Sequence, residues 1–248
     1  MATAGKTALL ARSDGVSSLA AGGRFALVYF VGAEVGYALS LGPAVGGTFW
    51  PPSGITLAVF LLAPLRIWPI LVAAGAAANF VSDQLHGQTL PASIGFAIAN
   101  LAEPLIGAYL LRRFVGTPFT FSRLSEVVSA AAVAVFISTP IGAVIGGLTA
   151  EWWTENPPGF ASSWRTWWIG DACGALVLAP GIVRGLVMWP NVREVSSRTW
   201  LEAAAFVLAL VIVTQIVFTS PPTSVAMPFL VFPLLLWASL RFGILGVS

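Results

Sequence analysis

Eight apolar stretches, each near the length of a membrane crossing, govern what this chain can become: about 24–42, 49–65, 66–83, 91–112, 124–149, 163–187, 200–219 and 224–241. A spanning helix needs about 20 mostly apolar residues. The prediction is an all-α, polytopic transmembrane helical bundle of about eight helices. The second stretch is marginal in length, and the Pro-Leu-Arg-Ile-Trp turn at 64–68 joins it tightly to the third. Composition agrees: 57% of residues are hydrophobic, 9% are charged and the mean hydropathy is +0.89. A soluble domain carries about 25% charged residues, so this chain lacks the polar surface to face water on all sides.

Charge sets the expected orientation. With the N-terminus inside, the cytoplasmic segments hold Lys6, Arg12, Arg24, Arg66, Arg112, Arg113, Arg123, Arg184, Arg193, Arg198 and Arg241, leaving only Arg165 outside among the 12 basic residues. That asymmetry is the positive-inside pattern, and it predicts both termini in the cytoplasm. Residues 1–23 read as a cytoplasmic tail without a cleaved signal peptide, and 24–248 as the membrane domain. The outer loops carry Asp83, His86, Glu151 and Glu155. Beside them stand six tryptophans, Trp50, Trp152, Trp153, Trp164, Trp167 and Trp168, most of which read as interfacial anchors.

Several chemistries are excluded early. One cysteine, Cys173, allows no disulfide framework. One histidine, His86, allows no bis-histidine haem or histidine-rich metal centre. Asp83 and His86 have the spacing of a weak metal pair, but two ligands do not make a site, and both read as exposed loop residues. No cofactor and no nucleic-acid partner is expected. The small-residue pairs Gly32/Gly36, Gly142/Gly146 and Gly170/Gly174 predict close helix packing.

Polar groups at membrane depth carry the functional signal. Counting about 1.5 Å per residue from the outer ends puts Asn79 about 6 Å in, Asp171 about 10 Å, Glu34 about 12 Å, Asn100 about 13 Å and Glu103 about 18 Å. Asn100 and Glu103, three residues apart, share a helix face, and Pro104 frees the carbonyl of Asn100. Trp167 and Asp171 share a face too, which puts an indole N–H within reach of the carboxylate. Trp50-Pro51-Pro52-Ser53 opens the second helix with free N–H groups at the outer mouth. Ionisable residues inside a membrane point to function and call for a partner, and no Lys or Arg lies in the outer half of any segment. A proton, a cationic or donor-rich ligand, or an internal hydrogen-bond network therefore satisfies them.

In order along the chain stand W-P-P-S-G at 50–54, R-I-W-P at 66–69, Gly75, Asn79, N-L-A-E at 100–103, Arg112-Arg113, W-W-I-G-D-A-C-G at 167–174, Pro180 and F-P-L-L-L-W-A-S-L-R-F-G at 232–243. This series resembles the first type of membrane-associated sensor domain, the MASE family of bacterial signalling proteins. The resemblance implies a plasma-membrane input module without catalysis of its own. It would feed a cytoplasmic output domain, in cis or on a partner protein, that is a histidine kinase of a two-component system or an enzyme of cyclic di-GMP turnover. It also implies a homodimeric signalling partner and a continuation beyond Ser248, making the chain a fragment. The residues carried over are Trp50, Pro51, Pro52, Asn79, Asn100, Glu103, Trp168, Gly170 and Asp171; Glu34 rests on the depth argument alone.

Together these readings predict a sensory domain that binds an extracytoplasmic or membrane-borne ligand, or protons, in an outward polar pocket. The rival is a small transporter or its substrate-binding membrane subunit, for which midplane carboxylates and a proline-broken helix also speak. An intramembrane enzyme fits least, for want of a general-base pair.

Overall fold

The structure, a computed structural model, describes residues 15–39 and 49–188, with helical positions 201–202, 204–205 and 208–209 beyond them. The expected eighth segment and most of the seventh lie outside the described residues. The helices are α1 (Gly15–Ala38), α2 (Pro51–Leu62), α3 (Trp68–Leu85), α4 (Leu90–Phe114), α5 (Leu124–Val133), α6 (Thr139–Trp153) and α7 (Phe160–Met188). Among the described residues there is no strand. Five helical stretches are long and apolar enough to cross a membrane: Ser18–Ala38, Leu65–Leu85, Leu90–Phe114, Leu124–Trp153 and Phe160–Val187.

The second expected span is corrected. α2 has 12 residues, about 18 Å of helix against about 30 Å of hydrocarbon. Ten of those twelve residues are buried, so α2 is an interior helix walled in by its neighbours. It stops because Ala63 precedes Pro64 and takes an extended conformation, ψ 142°, as residues before proline do. Its last carbonyls would then be orphaned among apolar side chains. Arg112 of α4 meets them: its Nη1 donates to the carbonyls of Phe60 at 3.0 Å and Ala63 at 2.6 Å, with Leu61 at 3.4 Å. The guanidinium also lies 5.5 Å from the Trp68 ring centre.

Glycines let the bundle close on α2. A side chain at Gly32 would strike Ile55, and one at Gly36 the Trp50 ring. Gly54 of α2 lies against the backbone carbonyl of Gly174 on α7, and Gly174 in turn against that of Trp50. All three small-residue pairs of the sequence sit at helix contacts, since Gly142 faces Glu103 and Gly146 faces Trp167, and the Gly170 carbonyl accepts the Trp50 N–H at 3.0 Å.

α5 and α6 form one rod through a π-helical segment, Ala134–Ser138. Pro140 explains part of it. Proline has no N–H to give, so the carbonyl of Val135, five residues back, is left for another donor. The Trp168 indole takes it at 2.7 Å, and the Trp164 indole donates to the Pro140 carbonyl at 3.3 Å.

The bundle is inside-out relative to a water-soluble protein. Large apolar side chains such as Leu27, Val31, Ile98, Phe136 and Val177 face outward, whereas Ser53, Thr56, Asn79, Asp83, Asn100, Glu103 and Asp171 are buried. Such a surface belongs in lipid, and the chain is a multi-pass membrane protein.

Candidate functional site

Buried polar residues of α2, α3 and α4 are joined by hydrogen bonds in the part of the bundle toward Trp50, Leu85 and Leu90. α3 supplies the hub. Asn79 accepts through Oδ1 from the Tyr29 hydroxyl of α1 and from Asn100 Nδ2 of α4, each at 2.7 Å. Its own Nδ2 donates to Asp83 Oδ2 at 2.7 Å, and Asp83 Oδ1 accepts from the Tyr37 hydroxyl at 2.7 Å. Asn79 and Asp83 stand one turn apart, which puts both on the face that meets α1 and α4.

On α4, Glu103 follows Asn100 on the same face. The Ser53 hydroxyl of α2 donates to Glu103 Oε1 at 2.7 Å. Ser53 is held there because the Trp50 N–H is tied to the Gly170 carbonyl of α7, one residue before Asp171. Asp171 and Glu103 are 3% and 1% exposed. Among the described residues neither pairs with a Lys or Arg; at the rim, His86 Nε2 lies 3.7 Å from Glu34 Oε2. Among the described residues, no three of the His, Cys, Asp and Glu types are arranged to hold a metal ion.

This network carries loose ends. Asn100 Oδ1, Glu103 Oε2, Asp171 Oδ2, Thr56 Oγ1 and the indole N–H groups of Trp50 and Trp167 are buried without a hydrogen-bond partner. Buried polar atoms are nearly always paired, and each orphan costs about 1–3 kcal/mol. Three of these orphans, Asn100 Oδ1, Glu103 Oε2 and Asp171 Oδ2, are oxygens of the side chains singled out at membrane depth.

Of the expected site residues, Trp50, Asn79, Asn100, Glu103 and Asp171 belong to this layer. Pro52 shapes it by packing, with its ring against Gly32. Other expectations are corrected. The prolines leave two donors fewer at the start of α2, and the Ser53 N–H is taken by the Trp50 carbonyl at 3.2 Å, so that helix end is largely satisfied from within. Trp168 spends its N–H on Val135, away from the carboxylates. Trp167 and Asp171 share a face, yet each keeps an unpartnered atom, so the expected indole–carboxylate bond is not made. Of the six tryptophans, Trp152 and Trp153 are exposed, Trp50 and Trp167 are buried, and Trp164 and Trp168 are clipped to α5–α6 carbonyls.

Glu34 and Asp83 exchange places relative to the sequence reading. α1 ends at Ala38, not near 42, so Glu34 lies one turn from its end with a side chain 37% exposed. α3 runs to Leu85, so Asp83 lies inside it and is 2% exposed. Glu34 accepts from the Ser82 hydroxyl at 2.7 Å and forms the rim of the network, of which Asp83 is a buried member. Tyr29, Tyr37 and Ser82 are members that the sequence reading missed. Tyrosines in apolar segments at helical spacing, 29 and 37, were the available signal.

The MASE1 family model matches residues 21–248, almost the whole chain. No curated protein and no solved structure shows a significant match.

Proposed function

The chain belongs to the MASE1 family, a family of membrane-embedded sensory input domains, and on that premise we propose that its sensing element is the polar layer built on Asn79, Asn100, Glu103 and Asp171. The observation that carries this reading is the pair of buried carboxyl groups, Glu103 and Asp171, each with an unpartnered oxygen and, among the described residues, no Lys or Arg paired with it. Buried carboxyl groups without a counter-charge are costly to keep ionised. A proton, a small cation or a donor-rich ligand reaching the layer from the Trp50 end relieves that cost, and the helices repack around the altered bonds.

The relay follows from the contacts of α2. Its N-terminal turn touches the layer through Ser53, and its C-terminus is held by Arg112 on α4. A guest that pulls Glu103 off Ser53 changes the seat of α2 against α1 and α7. It signals only to the extent that it binds the two arrangements with different affinity. The membrane face bearing Trp50 is the extracytoplasmic one in this reading, and the output is a cytoplasmic kinase or cyclic di-GMP enzyme, in cis or on a partner.

Glu103→Gln and Asp171→Asn test it in the native cell. Signalling output is followed at matched membrane abundance while external pH and small cations are varied. Both variants should insert normally and lose the response; a normal response in both overturns the reading. Reconstituted into proteoliposomes, the wild type should move no net labelled cation, and sustained flux would assign the layer to a transporter instead.

A further inference from the structure

His86, the single histidine of the sequence, sits at the C-cap of α3 and has no part in the function proposed above. Its surroundings are specific. The ring stacks on Tyr37 with centres 3.7 Å apart and planes within 6°. Nδ1 lies 2.9 Å from the Ser82 carbonyl, and Nε2 lies 3.7 Å from Glu34 Oε2.

The carbonyl settles the tautomer. A carbonyl oxygen only accepts, so Nδ1 carries the hydrogen, and in the neutral ring Nε2 is then a bare acceptor. It faces a carboxylate oxygen, also an acceptor. Two acceptors face each other with no hydrogen between them. Adding one proton at Nε2 turns the mismatch into a charge-assisted contact. The geometry is complete only in the protonated form.

We propose that His86 and Glu34 form a proton-operated latch at the rim of the polar layer, closing α1 onto the end of α3 when the pH on that side falls. The latch rests on the polar layer being the sensing element and gives it a control. Glu34 is already held to α3 by the Ser82 hydroxyl at Oε1. Protonated His86 holds Oε2 as well, so both carboxylate oxygens of an α1 side chain are then fixed by α3. Tyr37 is carried with it, since its ring lies under His86 and its hydroxyl donates to Asp83. From Asp83 the bonds run through Asn79 to Asn100, three residues from Glu103. Closing the latch therefore stiffens the α1 side of the hub.

Among the described residues, the titratable groups around the imidazole are Glu34 and Tyr37 from α1 and Asp83 from α3. The sequence joining α1 to α2 at 39–49 contains none. Glu34 approaches Nε2 directly, at 3.7 Å, while Asp83 feels the His86 charge from its bonds to Tyr37 and Asn79. Histidine is the side chain that ordinarily changes charge between about pH 5 and 8.

The sign is fixed by the chemistry. The contact exists with His86 protonated and Glu34 ionised, so its stabilisation is present at the acid end of that range and is lost as pH rises. The test is thermal melting of the full chain in nanodiscs at about pH 5.5 and about pH 8, read by tryptophan fluorescence. The wild type should melt about 2 °C higher at the acid pH, from a partly exposed pair in a domain this size. His86→Phe keeps the stack and removes both nitrogens, and Glu34→Gln removes the charge; each should erase the increment, and the double variant should erase no more. His86→Gln offers a permanent donor and should melt alike at both pH values, which covers a failure of His86→Phe to fold. A full increment in Glu34→Gln, or none in the wild type, overturns the latch. Glu103→Gln and Asp171→Asn should keep the increment, so this result stands apart from the test of the sensing layer.

Discussion

Arg112 and Arg113 are adjacent, identical in type and equal as positive-inside charges, yet the structure gives them different work. Arg113 is exposed, near the Phe114 ring. Arg112 places one nitrogen among three carbonyls at the buried end of α2 and lays its guanidinium over Trp68. That nitrogen has two hydrogens, so two bonds count, those to Ala63 and Phe60. Hydrogen bonds to a charged group are worth about 1.5–3 kcal/mol each, the cation–π contact about 0.5–1 kcal/mol, and partial exposure of the side chain takes the lower end of both. Arg112→Met should therefore cost about 3.5 kcal/mol, and Arg113→Met less than about 0.5 kcal/mol. Methionine fills the space of the arginine stem, which keeps the comparison to the lost donors and charge. Reversible unfolding in mixed micelles, read by circular dichroism, measures both. Equal losses from the two variants would refute the reasoning, because charge asymmetry treats them alike and only the cap separates them. Arg112→Lys should fall between, since an ammonium reaches carbonyls but neither forks nor stacks as a guanidinium does.

Two other substitutions bear on the site. Gly174→Ala drives a methyl group into the Trp50 carbonyl, a backbone atom that has no rotamer to yield; it should cost about 2–3 kcal/mol in the same assay, and a cost near zero would mean that α2 and α7 do not meet there. Trp168→Phe keeps the ring beside Trp164 and removes the bond to Val135, so about 1 kcal/mol should be lost with the signal response intact. A lost response at unchanged stability would restore Trp168 as a ligand contact.

The sequence by itself determined the solvent of this protein and most of its wall. Apolar runs of membrane length dictate spanning helices because a backbone in hydrocarbon must bond to itself, and the spans of α1, α3, α4, α5–α6 and α7 were legible for that reason. The same runs made Asn79, Asn100, Glu103 and Asp171 conspicuous, since a polar atom in lipid must be turned inward. What the sequence could not supply was the length of α2. Its composition matches that of a span; Pro64 stops the helix, and an arginine fifty residues away, bonded to Phe60 and Ala63 beside the Trp68 indole, satisfies the carbonyls left inside the bundle. Helix ends likewise decided Glu34 and Asp83: a shift of a few residues at Ala38 and Leu85 moved one carboxylate to the rim and the other into the core. Hydropathy varies too smoothly at a membrane interface to fix such ends. The pairing of Tyr37 with His86, and of Ser53 with Glu103, belongs to tertiary structure alone, because each joins helices whose relative rotation no single segment encodes.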